Sequence, residues 1–116
     1  MPRINPEYMT AVCRKVNQSP YFSLISMELR EFDIGRSLLE INVQQKHLQP
    51  FGKVHGGVFS TIIDAAAFWA AFPEIPAELG MTSVDLKLNF LAPAIAGKLI
   101  AKGRRIKMGK TLGLAE

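Results

Sequence analysis

The sequence predicts one α+β domain in which an antiparallel sheet wraps a long central helix. Three observations lead to this class. A nearly uncharged apolar run of helical length occupies residues 58–72. Segments in which apolar and polar residues alternate come before and after that run, as half-buried strands require. Glycine and proline separate these segments at short intervals. At 116 residues, the whole chain 1–116 is the size of one domain.

The first half of the chain predicts a helix and then a hairpin. The helix covers about residues 5–17, because Asn5 can cap it and Pro6 suits its first position. Ser19 and Pro20 end it. Two alternating segments around a turn at 33–35 then form a β-hairpin, and their apolar positions are Ile25, Met27 and Leu29, followed by Leu39, Ile41 and Val43.

The second half predicts a buried helix and more strands. After a loop over 44–54, the helix runs from about Gly56 to Phe72, since Pro73 cannot continue it. Its apolar residues lie on all sides, so we expect it to be buried on most sides. Three further strands are predicted, over about 84–90, over 99–107 and from 111 onward.

That last strand begins and then stops at Glu116, with no turn, cap or polar tail. We therefore expect the chain to be truncated there, with an unpaired edge left in the sheet.

The composition argues against several classes of partner for this chain. The net charge is +4, with the densest basic residues after position 97, but no aromatic residue follows Pro93. A nucleic-acid surface would interleave the two, so nucleic acid is not expected. The apolar run is short for a membrane span, and residues 1–8 lack a signal-type stretch. We expect a cytosolic (cytoplasmic) protein with no membrane contact.

The single cysteine excludes an internal disulfide and a cysteine-built zinc site. Arg14 and Lys15 follow Cys13 and could activate its thiol. A half-buried helix position is the favoured interpretation. His47 and His55 are the only histidines, and no acidic cluster lies near them in the sequence, so no metal site is expected.

Asp64 is the first candidate for chemistry. It is the only ionisable residue in the apolar helix, where a carboxylate is costly unless it is paired, hydrogen-bonded or used. Gly56 and Gly57 begin the same helix, and free amides at a helix start can receive negative charge. An acid and an oxyanion donor on one helix suggest acyl transfer. Asp64 comes eight residues after Gly56, about 12 Å along the helix axis. The two could act on one substrate only if the substrate lay between them, or if they came from different subunits.

The loop before the helix offers weaker candidates. His55 or His47 could act as a base, although holding the loop by hydrogen bonds is the favoured role. Gln49 can donate a hydrogen bond to a carbonyl or orient a water. Ser60, Thr61 and Ser83 carry hydroxyls, but no nucleophile-elbow motif supports any of them.

The motif over 47–64 resembles that of a hotdog-fold acyl-CoA thioesterase of the phenylacetate-degradation (PaaI-like) type. The pattern H-x-[NQ]-x-x-G-x-x-H-G-G is followed by an acid seven residues after its last glycine. The segments T-S-V-D-L over 82–86, F-L-A-P over 90–93 and G-K-T-L over 109–112 also match. The resemblance covers roughly residues 20–116 and implies an antiparallel sheet around a central helix.

The resemblance also implies roles for individual residues. Asp64 would attack the thioester or activate a water, and the Gly56 amide, helped by Gly57, would polarise the carbonyl. Gln49 would position the water or carbonyl, Ser83 would face the water, and His55 would shape the loop. Charge alone suggests contacts to coenzyme A phosphates from Arg104, Arg105, Lys107 or Lys110.

The same resemblance implies a homodimer with shared active sites, paired into a homotetramer. The substrate would be an acyl-CoA, with coenzyme A present only as part of that substrate and no separate cofactor. Aromatic side chains could line an acyl or aryl pocket, although core packing accounts for most of them: Phe51, Phe59, Phe68, Trp69 and Phe72.

Two alternatives stay open. A hydratase or dehydratase on the same fold would pair a histidine with an acid, and His55 with Asp64 could imitate that pair. Its loop would carry Pro-Gly where this chain has Gly56 and Gly57. A non-catalytic acyl-CoA-binding module is the other alternative, although pure binding gains nothing from a buried acid.

Overall fold

The computed structural model describes residues 3–116 as one antiparallel sheet packed against a long helix. The sheet has four strands, which lie side by side in the order of the sequence. This architecture confirms the predicted α+β class. The elements are α1 (Pro6–Asn17), α2 (Pro20–Ile25), β1 (Met27–Asp33), β2 (Arg36–Asn42), α3 (Gly56–Ala71), β3 (Lys98–Met108) and β4 (Gly113–Ala115), with 3₁₀ turns at Gln45–His47 and Phe72–Glu74.

The N-terminal helix forms as the sequence predicts, but a second helix follows it. The Asn5 side chain accepts a hydrogen bond from the Glu7 N–H and caps α1, with Pro6 in the first turn. Pro20, predicted only as a stop, instead starts α2. The Asn17 side chain then holds both backbone groups of Leu29, so the end of α1 is fastened to β1.

The core lies between α3 and the sheet. Leu39 and Ile41 of β2 are fully buried, and Ile62 and Ala66 of α3 face them from the helix. The alternation in β2 therefore points its apolar side chains at α3, as the sequence predicts.

Sheet and helix lie very close together at Gly103. Gly103 of β3 pairs with Ser37 of β2, whose hydroxyl donates to the Ala66 carbonyl at 2.6 Å. A Cβ atom on Gly103 would overlap both that carbonyl oxygen and the Ser37 hydroxyl. Only glycine lets the helix lie this near the sheet.

We expect Gly103→Ala to destabilise the domain by at least about 3 kcal/mol, since backbone must move to admit one methyl group. The free energy of unfolding in urea measures this. Gly80→Ala is the matched control, because a Cβ atom added at Gly80 would meet nothing within 4 Å among residues 3–116. Equal stability of the two variants would contradict the close contact.

The Asp33 carboxylate ties the start of the chain to the hairpin. Its Oδ1 accepts from the Ile4 N–H at 3.0 Å and from the Ile34 N–H at 2.8 Å. Burial by itself raises the pKa of Asp33, but these two donors and the Arg36 charge outweigh it and lower the pKa below its usual value.

Because that pKa is lowered on folding, Asp33 stabilises the domain above the unfolded-state pKa of about 3.9, and the contribution is lost as pH falls through the folded-state pKa. We expect Asp33→Asn to flatten the acid side of the stability curve, measured by urea unfolding from neutral pH downward. The control is Asp85→Asn, at an exposed position. If the free energy of unfolding of Asp33→Asn fell with decreasing pH as steeply as that of wild type, other carboxylates would govern the acid transition.

Cys13 belongs to the core. It is 7% exposed on α1, and burial, together with the Glu31 charge, raises the pKa of its thiol. A raised pKa leaves little thiolate at neutral pH, so the structure favours the packing role over a reactive thiol.

The strand predicted over 84–90 is absent, and only two strands follow α3 rather than three. Residues 84–90 form neither helix nor strand, and within residues 3–116 no strand pairs with them. Side chains hold the segment instead, since the Phe90 ring meets Phe59 edge-on at 6.1 Å between centroids. Alternating apolar and polar residues fit a half-buried strand, but a strand also needs a neighbouring strand to pair with.

Burial of α3 on most sides was also a wrong expectation for the single chain. Four of its residues are buried, namely Ile62, Ala66, Ala70 and Ala71, and these face the sheet. By length and composition alone, the stretch Gly56–Glu74 could span a membrane, a test that the core helices of soluble proteins also pass. Only 22% of its most apolar window is buried within the domain. Much apolar helix surface is thus left uncovered by residues 3–116.

Candidate active site

The site centres on Asp64, in the second half of α3. Its Oδ1 accepts a hydrogen bond from the Ser83 hydroxyl at 2.7 Å. Ser83 comes from the segment between α3 and β3, which is neither helix nor strand at this point, so the chain folds back to meet the helix. One oxygen of the carboxylate is oriented by this bond, while the structure gives Oδ2 no partner within residues 3–116. Two of the candidate residues, which the sequence did not pair with each other, are therefore in direct contact.

Beside Asp64 lies a cavity of about 520 Å³ between α3 and the two N-terminal helices. Phe68 and Trp69 of α3 form one wall, and Phe22 of α2 forms part of the other. Trp69 also packs on Phe72, with ring centroids 4.7 Å apart, so this wall is fixed by the aromatic core. An apolar cavity next to an oriented carboxylate can hold the apolar part of a substrate whose reacting atom sits at Asp64.

At the N-terminal end of α3, His55 caps the helix. Its Nδ1 accepts a hydrogen bond from the Gly57 N–H at 2.8 Å, which holds the ring at the helix start. This bond occupies the Gly57 amide, so the expectation that Gly57 helps to polarise a carbonyl is not supported. The Gly56 N–H has no acceptor among the described residues, and it lies at the positive end of the helix dipole.

Gln49 lies in the loop before that helix start. Its Oε1 accepts from the Phe51 N–H at 2.5 Å and more weakly from the Lys53 N–H at 3.4 Å. These bonds fix the amide group with its oxygen turned into the loop. The NH₂ group has no acceptor within residues 3–116, so it can donate to a carbonyl or a water, the role that the resemblance implies.

His47 holds the loop rather than joining the chemistry. It is 1% exposed; its Nδ1 accepts from the Gln44 N–H at 2.8 Å and its Nε2 lies 2.6 Å from the Ile25 carbonyl oxygen. Both ring nitrogens are satisfied by backbone when Nε2 carries the proton. The favoured structural role is thereby supported for this histidine.

The four basic residues suggested for coenzyme A phosphates fall into two pairs. Arg104 bonds Glu116 at 2.9 Å, and Arg105 bonds Glu74 at 2.5 Å. Lys107 and Lys110 are exposed and have no carboxylate within 4 Å among residues 3–116. The structure joins none of the four to Asp64 or Gln49, so the phosphate contacts stay a prediction.

The site residues form two groups, one near the middle of α3 and one at its N-terminal end. Asp64 and Ser83 make one group, while Gln49, His55 and Gly56 make the other. They lie about 12 Å apart along the helix, so the two groups of one chain cannot both contact the same reacting atom of a substrate. For the same reason His55 and Asp64 do not form the acid–base pair that a hydratase would need.

The sequence missed the contribution of the N-terminal helices to the site. Lys15, Phe22 and Tyr21 line the cavity, and the Tyr21 hydroxyl lies 2.8 Å from that of Thr61 on α3. The signal was present in Ser19 and Pro20, since proline is common at the first position of a helix as well as at its end.

A carboxylate beside an apolar cavity can serve as a base or a nucleophile in acyl transfer, and a free amide at a helix start can receive the negative charge that develops on a carbonyl oxygen. The sequence profile described as the thioesterase superfamily matches residues 51–116. The chain belongs to this thioesterase superfamily, whose reaction is thioester hydrolysis.

Individual relatives agree with this assignment. The 1,4-dihydroxy-2-naphthoyl-CoA hydrolase of Listeria monocytogenes is 30% identical, over 75% of this chain and 71% of its own length. A thioesterase family protein from Silicibacter pomeroyi superposes with a TM-score of 0.82 at 27% identity, covering 91% of this chain and 79% of that one. The PaaI protein of E. coli has a TM-score of 0.76 at 20% identity, covering 91% and 75%.

These likenesses confirm the hotdog thioesterase fold and the PaaI-like resemblance. The chain spans between 64 and 71% of the length of the first curated relatives it matches.

Proposed function

We propose that this protein hydrolyses an acyl-CoA thioester to a free acid and coenzyme A. The observation that carries the proposal is the Asp64 carboxylate, oriented by Ser83 at the wall of an apolar cavity. A thioester carbonyl placed there would meet an acid that can serve as base or nucleophile. The 1,4-dihydroxy-2-naphthoyl-CoA hydrolase among the relatives acts on a compound of this class, which supports the choice of substrate.

Two routes give the same products. As a general base, Asp64 takes a proton from water, the water oxygen bonds to the carbonyl carbon, and the C–S bond breaks to release thiolate, which takes up the proton. As a nucleophile, Asp64 forms a mixed anhydride and expels the thiolate, and water then cleaves the anhydride. Both consume one water and need no cofactor.

The oxyanion in either route needs a donor that the same chain cannot bring. Gly56 offers a free N–H, and Gln49 a free NH₂, about 12 Å from Asp64 along the helix. We infer that a second copy supplies them, so that two active sites form between two subunits. The uncovered apolar surface of α3 supports such a dimer, because burying it is favourable. Pairing of two dimers into a tetramer extends the same proposal.

Coenzyme A carries phosphates that need cations. Lys107 and Lys110 are the better candidates of the four, since Arg104 and Arg105 already hold carboxylates. Exchanging either lysine for methionine should raise KM for acyl-CoA more than it lowers kcat, whereas a thioester of a short uncharged thiol should be unaffected.

The experiment that tests the proposed function is thiol release from a panel of short-chain, long-chain and aromatic acyl-CoAs, with the oligomeric state measured on the same sample. Release with at least one thioester supports hydrolysis. Consumption of an enoyl or β-hydroxyacyl thioester without thiol release would indicate a hydratase. Tight binding of acyl-CoA with no turnover, from a folded dimer, would indicate a binding module.

A further inference from the structure

The cavity beside Asp64 contains one feature that thioester hydrolysis does not need. Lys15, on α1, lines it together with the aromatic rings, and among the described residues it is the only cationic side chain in the lining. No carboxylate among residues 3–116 lies within 4 Å of its ammonium group. The other polar lining groups near it are engaged, since the hydroxyls of Tyr21 and Thr61 bond each other and the Ser19 hydroxyl donates to the Val16 carbonyl.

The rings in the lining favour a flat occupant. Phe22, Phe68 and Trp69 face the space from two elements, and aromatic pairs prefer tilted or offset contacts at ring-centroid distances of about 4.5–7 Å. The cavity volume of about 520 Å³ leaves room for an aromatic ring with substituents. Because Asp64 also lines the cavity, the thioester end of the acyl group belongs at the carboxylate.

We propose that this cavity binds an aromatic acyl group that carries an anionic ring substituent, and that Lys15 recognises this substituent. Lys15 is thus a specificity-determining residue, not a catalytic one. The inference rests on the proposed function, since it assigns the acyl end of the same substrate. An anion on the ring pairs with the ammonium group, while the ring replaces water against the aromatic wall.

The test uses binding, so that it does not depend on turnover. Trp69 is the only tryptophan of the chain and lines the cavity, so its fluorescence reports occupancy. The probes are two non-hydrolysable thioethers of coenzyme A, one with a plain benzyl group and one with a para-carboxybenzyl group. We expect the carboxylated probe to bind about tenfold more tightly, as one partly desolvated charge pair would give.

Lys15→Met should remove that tenfold difference and leave the affinity for the plain benzyl probe unchanged. Lys102→Met is the matched control, because Lys102 is an exposed lysine outside the cavity lining and its exchange removes the same charge. It should keep the preference. Both lysine positions are exposed, so both variants are expected to fold.

Three results would overturn the inference. The two probes could bind wild type equally, the preference could survive in Lys15→Met, or a thioether with a linear alkyl group of similar size could bind more tightly than the benzyl probe. If the preference is found as expected but no acyl-CoA releases thiol, the proposed hydrolysis fails while the cavity assignment stands.

Discussion

Asp64→Asn is expected to keep the fold and to lower kcat/KM for thiol release by at least about 10²-fold. Asparagine has the same shape, and its Oδ1 can still accept the Ser83 hydroxyl that Asp64 accepts at 2.7 Å. The variant therefore removes the charge and the basic oxygen with little change in packing. Initial rates with the best acyl-CoA, together with a thermal unfolding curve, measure both parts of the prediction.

The control for Asp64→Asn is Glu78→Gln, which removes one carboxylate charge from an exposed loop position. Its rate should match wild type. If Asp64→Asn also matched wild type, Asp64 would have no part in the mechanism. If it unfolded, the Asp64–Ser83 contact would be structural, and the loss of rate would carry no information on chemistry.

Gly56→Pro is expected to lower kcat/KM by about 10²–10³-fold, the usual cost of one lost oxyanion donor. Proline removes the amide hydrogen and little else at this position. It suits the first residue of a helix, and His55 before it has the extended backbone that proline requires, with ψ of 138°. A Cβ atom at residue 56 would lie 3.6 Å from the Phe90 ring, an ordinary contact.

Gly56→Ala is the matched control, since it adds the same Cβ atom but keeps the N–H. We expect Gly56→Ala to retain most activity and both variants to unfold at similar temperatures. Equal activity of the proline and alanine variants would exclude the Gly56 amide as the oxyanion donor, and Gln49 would then be the remaining donor of the loop.

The two variants together test whether the site is shared between subunits. A mixed dimer of Asp64→Asn and Gly56→Pro chains places both defects in one site and leaves the other site intact. After refolding an equal mixture, half of the dimers are mixed and each has one working site of two, so about a quarter of wild-type activity should return. No recovery, in a sample where mixed dimers are shown to form, would exclude the shared site.

The local predictions that held were those governed by chain chemistry over a few residues. Asn5 and Pro6 set the start of α1, and alternation set the buried face of β2. The pattern over 47–64 indicated the family correctly, because its spacing is itself the signal. The sequence did not single out Gly103, because the requirement for glycine there comes from the Ala66 carbonyl on another element.

The predictions that failed concerned contacts between distant segments. Alternation over 84–90 indicates extended backbone, but a strand requires a neighbour, and none lies beside it within residues 3–116. Likewise the apolar surface of α3 indicates burial without saying what covers it. The sequence also could not show which group accepts the hydrogen bond of the Gly57 N–H, because this depends on the orientation of the His55 ring at the helix start.

By itself, the sequence determined the α+β class, the helix that carries Asp64, the loop that precedes it and the family. These follow from periodicity and residue spacing, which act along the chain. Only the tertiary structure decided that Ser83 orients Asp64, that the Gly56 amide is free while that of Gly57 is occupied, and that α1 and α2 build the cavity with Lys15 in its wall. Each of these depends on distances between atoms far apart in the sequence, which packing alone fixes.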